Sequence, residues 1–112
     1  MGAWRTVAKV AELPEGGRLG VAVEGRELVV FHADGRLLAF DDACPHQGVP
    51  LSEMGVMQPE RLVCVLHGAA FDRETGAGLN EVAAEGLRRY PARRIGDEVQ
   101  VWLHDESAGV GP

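Results

Sequence analysis

Residues 44–48 read CPHQG and residues 64–71 read CVLHGAAF. Each stretch holds one cysteine and one histidine close together: Cys44 and His46 with Pro45 between them, Cys64 and His67 with two residues between them. Seventeen residues separate His46 from Cys64, so the constellation is CxH, seventeen residues, CxxH. A lone cysteine is more often a small buried hydrophobe than a ligand. Two cysteines, each with a histidine neighbour, instead suggest two loops that together offer four metal ligands.

Two metal chemistries use two cysteines and two histidines. Structural zinc takes this set, but its usual layout pairs cysteine with cysteine and histidine with histidine along the chain. Here each loop is mixed. Mixed loops suit a bound object with two metal atoms, one preferring soft sulfur and the other nitrogen, so that each loop spans both. That is the ligation of a Rieske [2Fe–2S] centre, in which two histidines replace two cysteines on one iron. The spacing favours the cluster, and a structural zinc-binding domain stays as the alternative.

Outside the two loops the composition restricts the function classes. A chain of 112 residues is long enough for one modest core and too short to divide comfortably into two domains. Its formal net charge of -6 argues against a nucleic-acid partner, whose phosphates need a basic surface. An acidic carrier that docks on a basic protein fits better. The N-terminus MGAWRTVAKVAEL has no apolar run long enough for a signal peptide, and no later stretch approaches a membrane span. The pairs Arg88–Arg89 and Arg93–Arg94 lie deep in the chain and read as solvated strand positions. With only two cysteines and no sign of an oxidising compartment, a cytoplasmic protein is expected, with no membrane association and monomeric when isolated.

Alternation with period two dominates the first forty residues, as in RELVVFHA at 26–33 and RLLAFDD at 36–42, with ADGR between them as a tight hairpin turn and Glu24–Gly25 as another. Short strands continue at RLVCVL, AAFD, RRYPARRI and EVQVWL, and fifteen glycines supply turns. The chain therefore reads as all-β. EVAAEGLRR at 81–89 is good for one helical turn, because Gly86 and the following Tyr–Pro stop it. The tail HDESAGVGP has little to bury and is expected to fray over 105–112. A Gly-, Pro-, Cys- and His-rich region from about 43 to 72 interrupts the strand pattern and needs something to order it.

CPHQGVPLSE together with CVLHGAAFDRETG resembles the Rieske motif, and specifically that of the small bacterial, low-potential Rieske ferredoxins that serve oxygenases. YPARRIGDEVQVWL resembles the closing strands of that family, so the resemblance covers nearly the whole chain. It implies a β-sandwich of Rieske type with a loop-rich cluster-binding subdomain. On this reading 1–104 is one domain, with base sheets over about 1–42 and 73–104 and the subdomain over about 43–72. It further implies one [2Fe–2S] cluster, with Cys44 and Cys64 on the inner iron and His46 and His67 on the outer iron near the surface. His32 and His104 match no ligand position.

The neighbours take supporting roles in that picture. Pro45 stiffens the first loop. Gly48 and Gly68 let backbone N–H groups approach the cluster sulfurs and permit unusual φ, Ala69 and Phe71 lie against the site, and Gln47, Val49, Pro50 and Leu66 form a docking tip. The high-potential Rieske proteins of respiratory complexes are similar in ligands but add an inter-loop disulfide, a serine and a tyrosine; this chain has Val49 and Leu66 at the extra cysteine positions, and Ala69 and Phe71 at the hydroxyl positions. Fewer donors stabilise less charge on the reduced cluster, so the expected potential is near the bottom of the Rieske range, on the order of -150 mV. Asp41, Asp42, Glu53 and Asp72 push the same way, weakened by solvent screening. Ferredoxins of this family often carry a proline after the second motif; Val82 stands in that stretch here.

The implied function is a one-electron carrier, not itself an enzyme, that accepts from a flavoprotein reductase fed by NAD(P)H and donates to a terminal oxygenase. No nucleophile with a positioned base and no phosphate-binding Gly loop competes with this reading. A different role on the same fold is the Rieske-type small subunit of NADH-dependent nitrite reductase, which the chain also resembles.

Overall fold

The computed structural model describes residues 2–43 and 49–104. It is built almost wholly from antiparallel strands in three sheets. Strands β1 (Gly2–Lys9), β9 (Ala92–Ile95) and β10 (Glu98–His104) form one sheet in the order β1-β10-β9. Strands β2 (Arg18–Val23), β3 (Arg26–Ala33), β4 (Arg36–Asp41) and β8 (Arg89–Tyr90) form a second in the order β2-β3-β4-β8. Strands β5 (Gly55–Met57), β6 (Arg61–Cys64) and β7 (Ala70–Asp72) form a small third sheet.

The second sheet is the middle layer, and the reason lies in β3 and β4. Leu28, Val29, Val30 and Phe31 are consecutive and all buried, a continuous apolar run of the kind that strands covered on both faces require. Side chains alternate across a strand. Accordingly Leu28 and Val30 join Ala39, Val99, Val101 and Leu103 in one core against the first sheet. Val29 and Phe31 join Leu38, Phe40, Leu62, Cys64 and Phe71 in a second core against the third sheet. Phe31 and Phe40 meet edge to face at 6.2 Å within that second core. Removing either ring would forfeit about 3–5 kcal/mol.

The two anticipated hairpin turns are present. The β2–β3 and β3–β4 registers close at Val23↔Arg26 and Ala33↔Arg36, leaving Glu24–Gly25 and Asp34–Gly35 as two-residue loops. Asp34 and Gly35 have φ of 55° and 73°, the doubly positive geometry whose twist matches the flanking strands.

Three differences from the sequence expectations concern short elements. Within the loop-rich region β6 and β7 fall on the expected RLVCVL and AAFD strands, but β5 and one turn of α-helix, α1 (Leu51–Met54), were not anticipated, because elements of three or four residues are too short to display a period. The turn anticipated in 81–89 is a 3-10 turn confined to Glu81–Ala83. His104 ends β10 rather than beginning the tail, and the expected fraying of 105–112 falls outside the described residues. No helix among the described residues is long and apolar enough to cross a membrane.

Candidate metal centre

The CVLHG stretch is a reversal between β6 and β7. Cys64 is the last residue of β6, pairs with Gly55 across the third sheet and is fully buried. The chain then turns through Val65, Leu66 and His67 and re-enters the sheet at Ala70. Two backbone hydrogen bonds close the reversal: Gly68 N–H donates to Cys64 O, and Cys64 N–H donates to Ala69 O, both at 2.8 Å. Gly68 has φ of +75° with no atom within 4 Å of where a Cβ would lie, so among the protein's own atoms its role is conformational. Ala69 and Phe71 are fully buried in the core that contains Cys64.

The result is a turn with opposite ends. Its sulfur sits inside, whereas His67 is exposed, flanked by Val65 at 57% and Leu66 at 50% exposure. A soft thiolate withdrawn from water and an imidazole held at the surface are what a two-metal object, buried on one side only, demands of a single loop.

The other predicted ligands, Cys44 and His46, lie outside the described residues, as do Pro45, Gln47 and Gly48. Their flanks are tied into the fold. Ala43 and Pro50 pair as an isolated antiparallel bridge. Asp42, 8% exposed, accepts from Ser52 N–H at 2.6 Å and Ser52 Oγ–H at 2.9 Å, and its carbonyl accepts from Leu51 N–H at 2.6 Å. Arg18, reaching from β2, donates to three carbonyls of the next segment: Ser52 O at 2.7 Å, Glu53 O at 2.9 Å, and Gly55 O. One helical turn beyond Pro50, Met54 O accepts from Val65 N–H at 2.9 Å. The flanks of the first motif and the whole second motif therefore meet at one end of the third sheet. Val49 and Pro50 are half-buried there, Val49 packing partly on the core, so of the named tip residues Leu66 is the most exposed among those described.

Among the described residues no three Cys, His, Asp or Glu side chains gather on a point. Cys64 and His67 supply two donors, and one further feature fits them to a sulfide-containing group. Ala69 is fully buried, yet its N–H has no acceptor among the described residues, leaving a buried donor where a cluster sulfur could accept it.

The acidic neighbours differ in setting. Asp42 is buried rather than solvent-screened, Asp41 accepts from Tyr90 O–H at 2.5 Å, and Asp72 accepts from Glu74 N–H and Thr75 N–H in its own turn. Only Glu53 of the four is exposed. Burial of Asp42 strengthens its field at short range, where low dielectric screens least.

Sequence reasoning passed over Asn80, Arg18 and Ser52. The Asn80 side chain bonds Gly68 O, Ala70 N–H and Ala83 N–H. Its signal was an asparagine directly before EVA, a helix-cap pattern. Arg18 and Ser52 left no local signal, since their partners are set by tertiary approach. Val82 packs partly against the Cys64-containing core. His32, which matches no ligand position, is held elsewhere: its Nδ1 lies 2.9 Å from Leu13 O and its Nε2 3.4 Å from Glu15.

A β-layered domain with two Cys/His motifs, one of them placed at a sheet end with sulfur in and imidazole out, defines the class of a histidine-ligated iron–sulfur protein. The Rieske [2Fe-2S] domain model matches residues 3–91, and the chain belongs to that family, its cofactor being one Rieske cluster. The ferredoxin component of the naphthalene 1,2-dioxygenase system of Pseudomonas aeruginosa is 33% identical over 100 residues, covering 89% of this chain and 95% of that one. A solved complex of reduced oxygenase and oxidized ferredoxin in carbazole 1,9a-dioxygenase contains a chain that is 26% identical, with a TM-score of 0.76 and coverage of 88% and 91%. The putative NADH-dependent nitrite reductase small subunit from Mycobacterium tuberculosis superposes with a TM-score of 0.82, covering 93% and 97%; at 22% identity that likeness is one of fold.

Proposed function

We propose that this chain is the ferredoxin of a multi-component oxygenase system: a cytoplasmic one-electron carrier that accepts from a flavoprotein reductase and donates to a terminal oxygenase. In this reading Cys44 and Cys64 hold the inner iron and His46 and His67 the outer one, within a single domain over 1–104 whose cluster-binding part is about 43–72. The cluster supplies one reversible electron, and the polypeptide does the rest. Cys64 is withheld from water, which protects the sulfur side. His67 stays at the surface, so a partner that covers it comes within electron-transfer reach.

The observation that carries this reading is the pairing of a fully buried Cys64 with an exposed His67 between two exposed apolar residues, Val65 and Leu66. Exposed apolar side chains beside a redox ligand suit the desolvated centre of a transient interface. With Gln47, Val49 and Pro50 they make the proposed docking tip, on a protein of net charge -6 that is steered toward basic partners.

The testing experiment is protein-film voltammetry of the holoprotein followed by reconstitution with an oxygenase-system reductase. A midpoint near -150 mV and reductase-dependent reduction are expected. A midpoint above zero would refute the role assigned to Ala69 and Phe71, and stable co-purification with a large enzyme would favour a subunit of that enzyme over a free carrier.

A further inference from the structure

The connection between β7 and β8 holds a side chain bonded on three sides. Asn80 Nδ2 donates to Gly68 O at 2.9 Å, and its Oδ1 accepts from Ala83 N–H at 3.2 Å and from Ala70 N–H at 3.4 Å. Beside it, Leu79 N–H donates to Ala70 O at 2.8 Å. Residues 79 and 80 thus grip the chain on both sides of buried Ala69, two residues beyond His67.

Capping alone does not explain the choice of asparagine. The cap of the Glu81–Ala83 turn needs only an acceptor, which serine or aspartate provides equally well. The bond to Gly68 O needs a donor at the same time, and among the common capping side chains only the amide offers both from two fixed atoms. The structural demand that selects Asn therefore comes from the second motif.

The bond to Gly68 O also bears on chemistry. Gly68 O and the Ala69 N–H belong to one peptide group, and accepting a hydrogen bond at the oxygen polarises the N–H into a better donor. That N–H is the buried one without an acceptor among the described residues. Donated to a cluster sulfur, such a polarised N–H would favour the reduced, more negative state.

We propose that Asn80 is a positioning residue of the metal centre: by holding Gly68 O it fixes the Ala69 N–H and the His67 imidazole in the geometry the cluster needs. The proposal rests on the reading of Cys64 and His67 as ligands. Removing partners that orient metal ligands typically weakens metal binding 10–100-fold, and the same order is expected here.

The test compares Asn80→Ser and Asn80→Asp, both able to cap the 3-10 turn, with the unaltered holoprotein and with His67→Ala. Iron release to a chelator, the EPR g values of the reduced state, the midpoint potential and the melting temperature are measured for each. Expected for both Asn80 variants are near-normal melting, iron loss about 10-fold faster or more, and a lower potential. Wild-type iron retention, g values and potential in both variants would overturn the proposal. So would iron loss that merely tracks a lowered melting temperature, since Asn80 would then be only a cap. If His67→Ala keeps the histidine-ligated EPR signature, the ligand reading itself falls; if it loses that signature while the Asn80 variants are unchanged, only the role of Asn80 falls.

Discussion

Arg18 ties the middle sheet to the metal end by three hydrogen bonds, and Arg18→Ala breaks them without touching any proposed ligand. Its three bonds go to Ser52 O, Glu53 O and Gly55 O, of which the last is part-buried and the other two exposed. Taking about 1.5 kcal/mol for the part-buried charged bond and roughly 0.5 kcal/mol for each exposed one gives about 2.5 kcal/mol. At 1.4 kcal/mol per decade that is roughly a 60-fold increase in opening of the Leu51–Met57 segment. The segment carries Met54 O, the acceptor for Val65 N–H, so opening should propagate to the second motif. Hydrogen exchange read by mass spectrometry on peptides covering 50–66 measures the opening directly, and iron release measures its consequence. Arg18 meets the three carbonyls with three separate nitrogens, whereas lysine's donors all sit on one, so Arg18→Lys should fall between alanine and wild type. Exchange within three-fold of wild type in Arg18→Ala would refute the clamp, whatever happened to the cluster.

Ala69→Ser adds a hydroxyl donor at a fully buried position against the metal centre. A bond to an anionic acceptor exceeds one to a neutral acceptor by about 1 kcal/mol, so the potential should rise by about 40 mV in voltammetry; no rise would remove hydroxyl loss as the cause of a low potential. Burial, then the hydrogen bond to Asp41, raises the Tyr90 phenol above its ordinary value. The folded state holds that proton more tightly, so the associated stability is complete below pH of about 10 and is lost as pH rises through the raised value. Tyr90→Phe should flatten this alkaline slope in denaturation followed by circular dichroism. Arg36, hydrogen-bonded to Glu74, holds that carboxyl down to about 2 from 4.5, so their pairing counts above pH 4.5 and vanishes as pH falls through 2. Both side chains are about half-exposed, and Glu74→Gln should leave neutral-pH melting nearly unchanged.

The parts of this molecule that were readable from sequence are those governed by local rules. The Asp34–Gly35 turn follows from its own φ requirements, and β3 and β4 from their apolar pattern. The pairing of Cys64 with His67 was visible because one short reversal holds both residues close in sequence. What stayed hidden depends on distant chain meeting distant chain. The run Leu28–Phe31 showed a strand but not that it is covered on both faces, which follows only when both other sheets are in place. Asp42 read as a screened surface charge because nothing nearby announces Ser52, ten residues on, as the partner that lets it be buried. Arg18 looked like any strand-end cation, though its carbonyl partners lie 34 to 37 residues away.

The central claim, a cluster ligated by two cysteines and two histidines, is tested most directly by low-temperature EPR of the purified protein after dithionite reduction, with metal content measured on the same sample. A spin-half signal whose average g lies well below the free-electron value, with two irons per chain, is the predicted result. EPR silence with one zinc per chain would make CPHQG and CVLHG two halves of a structural site and would contradict the account.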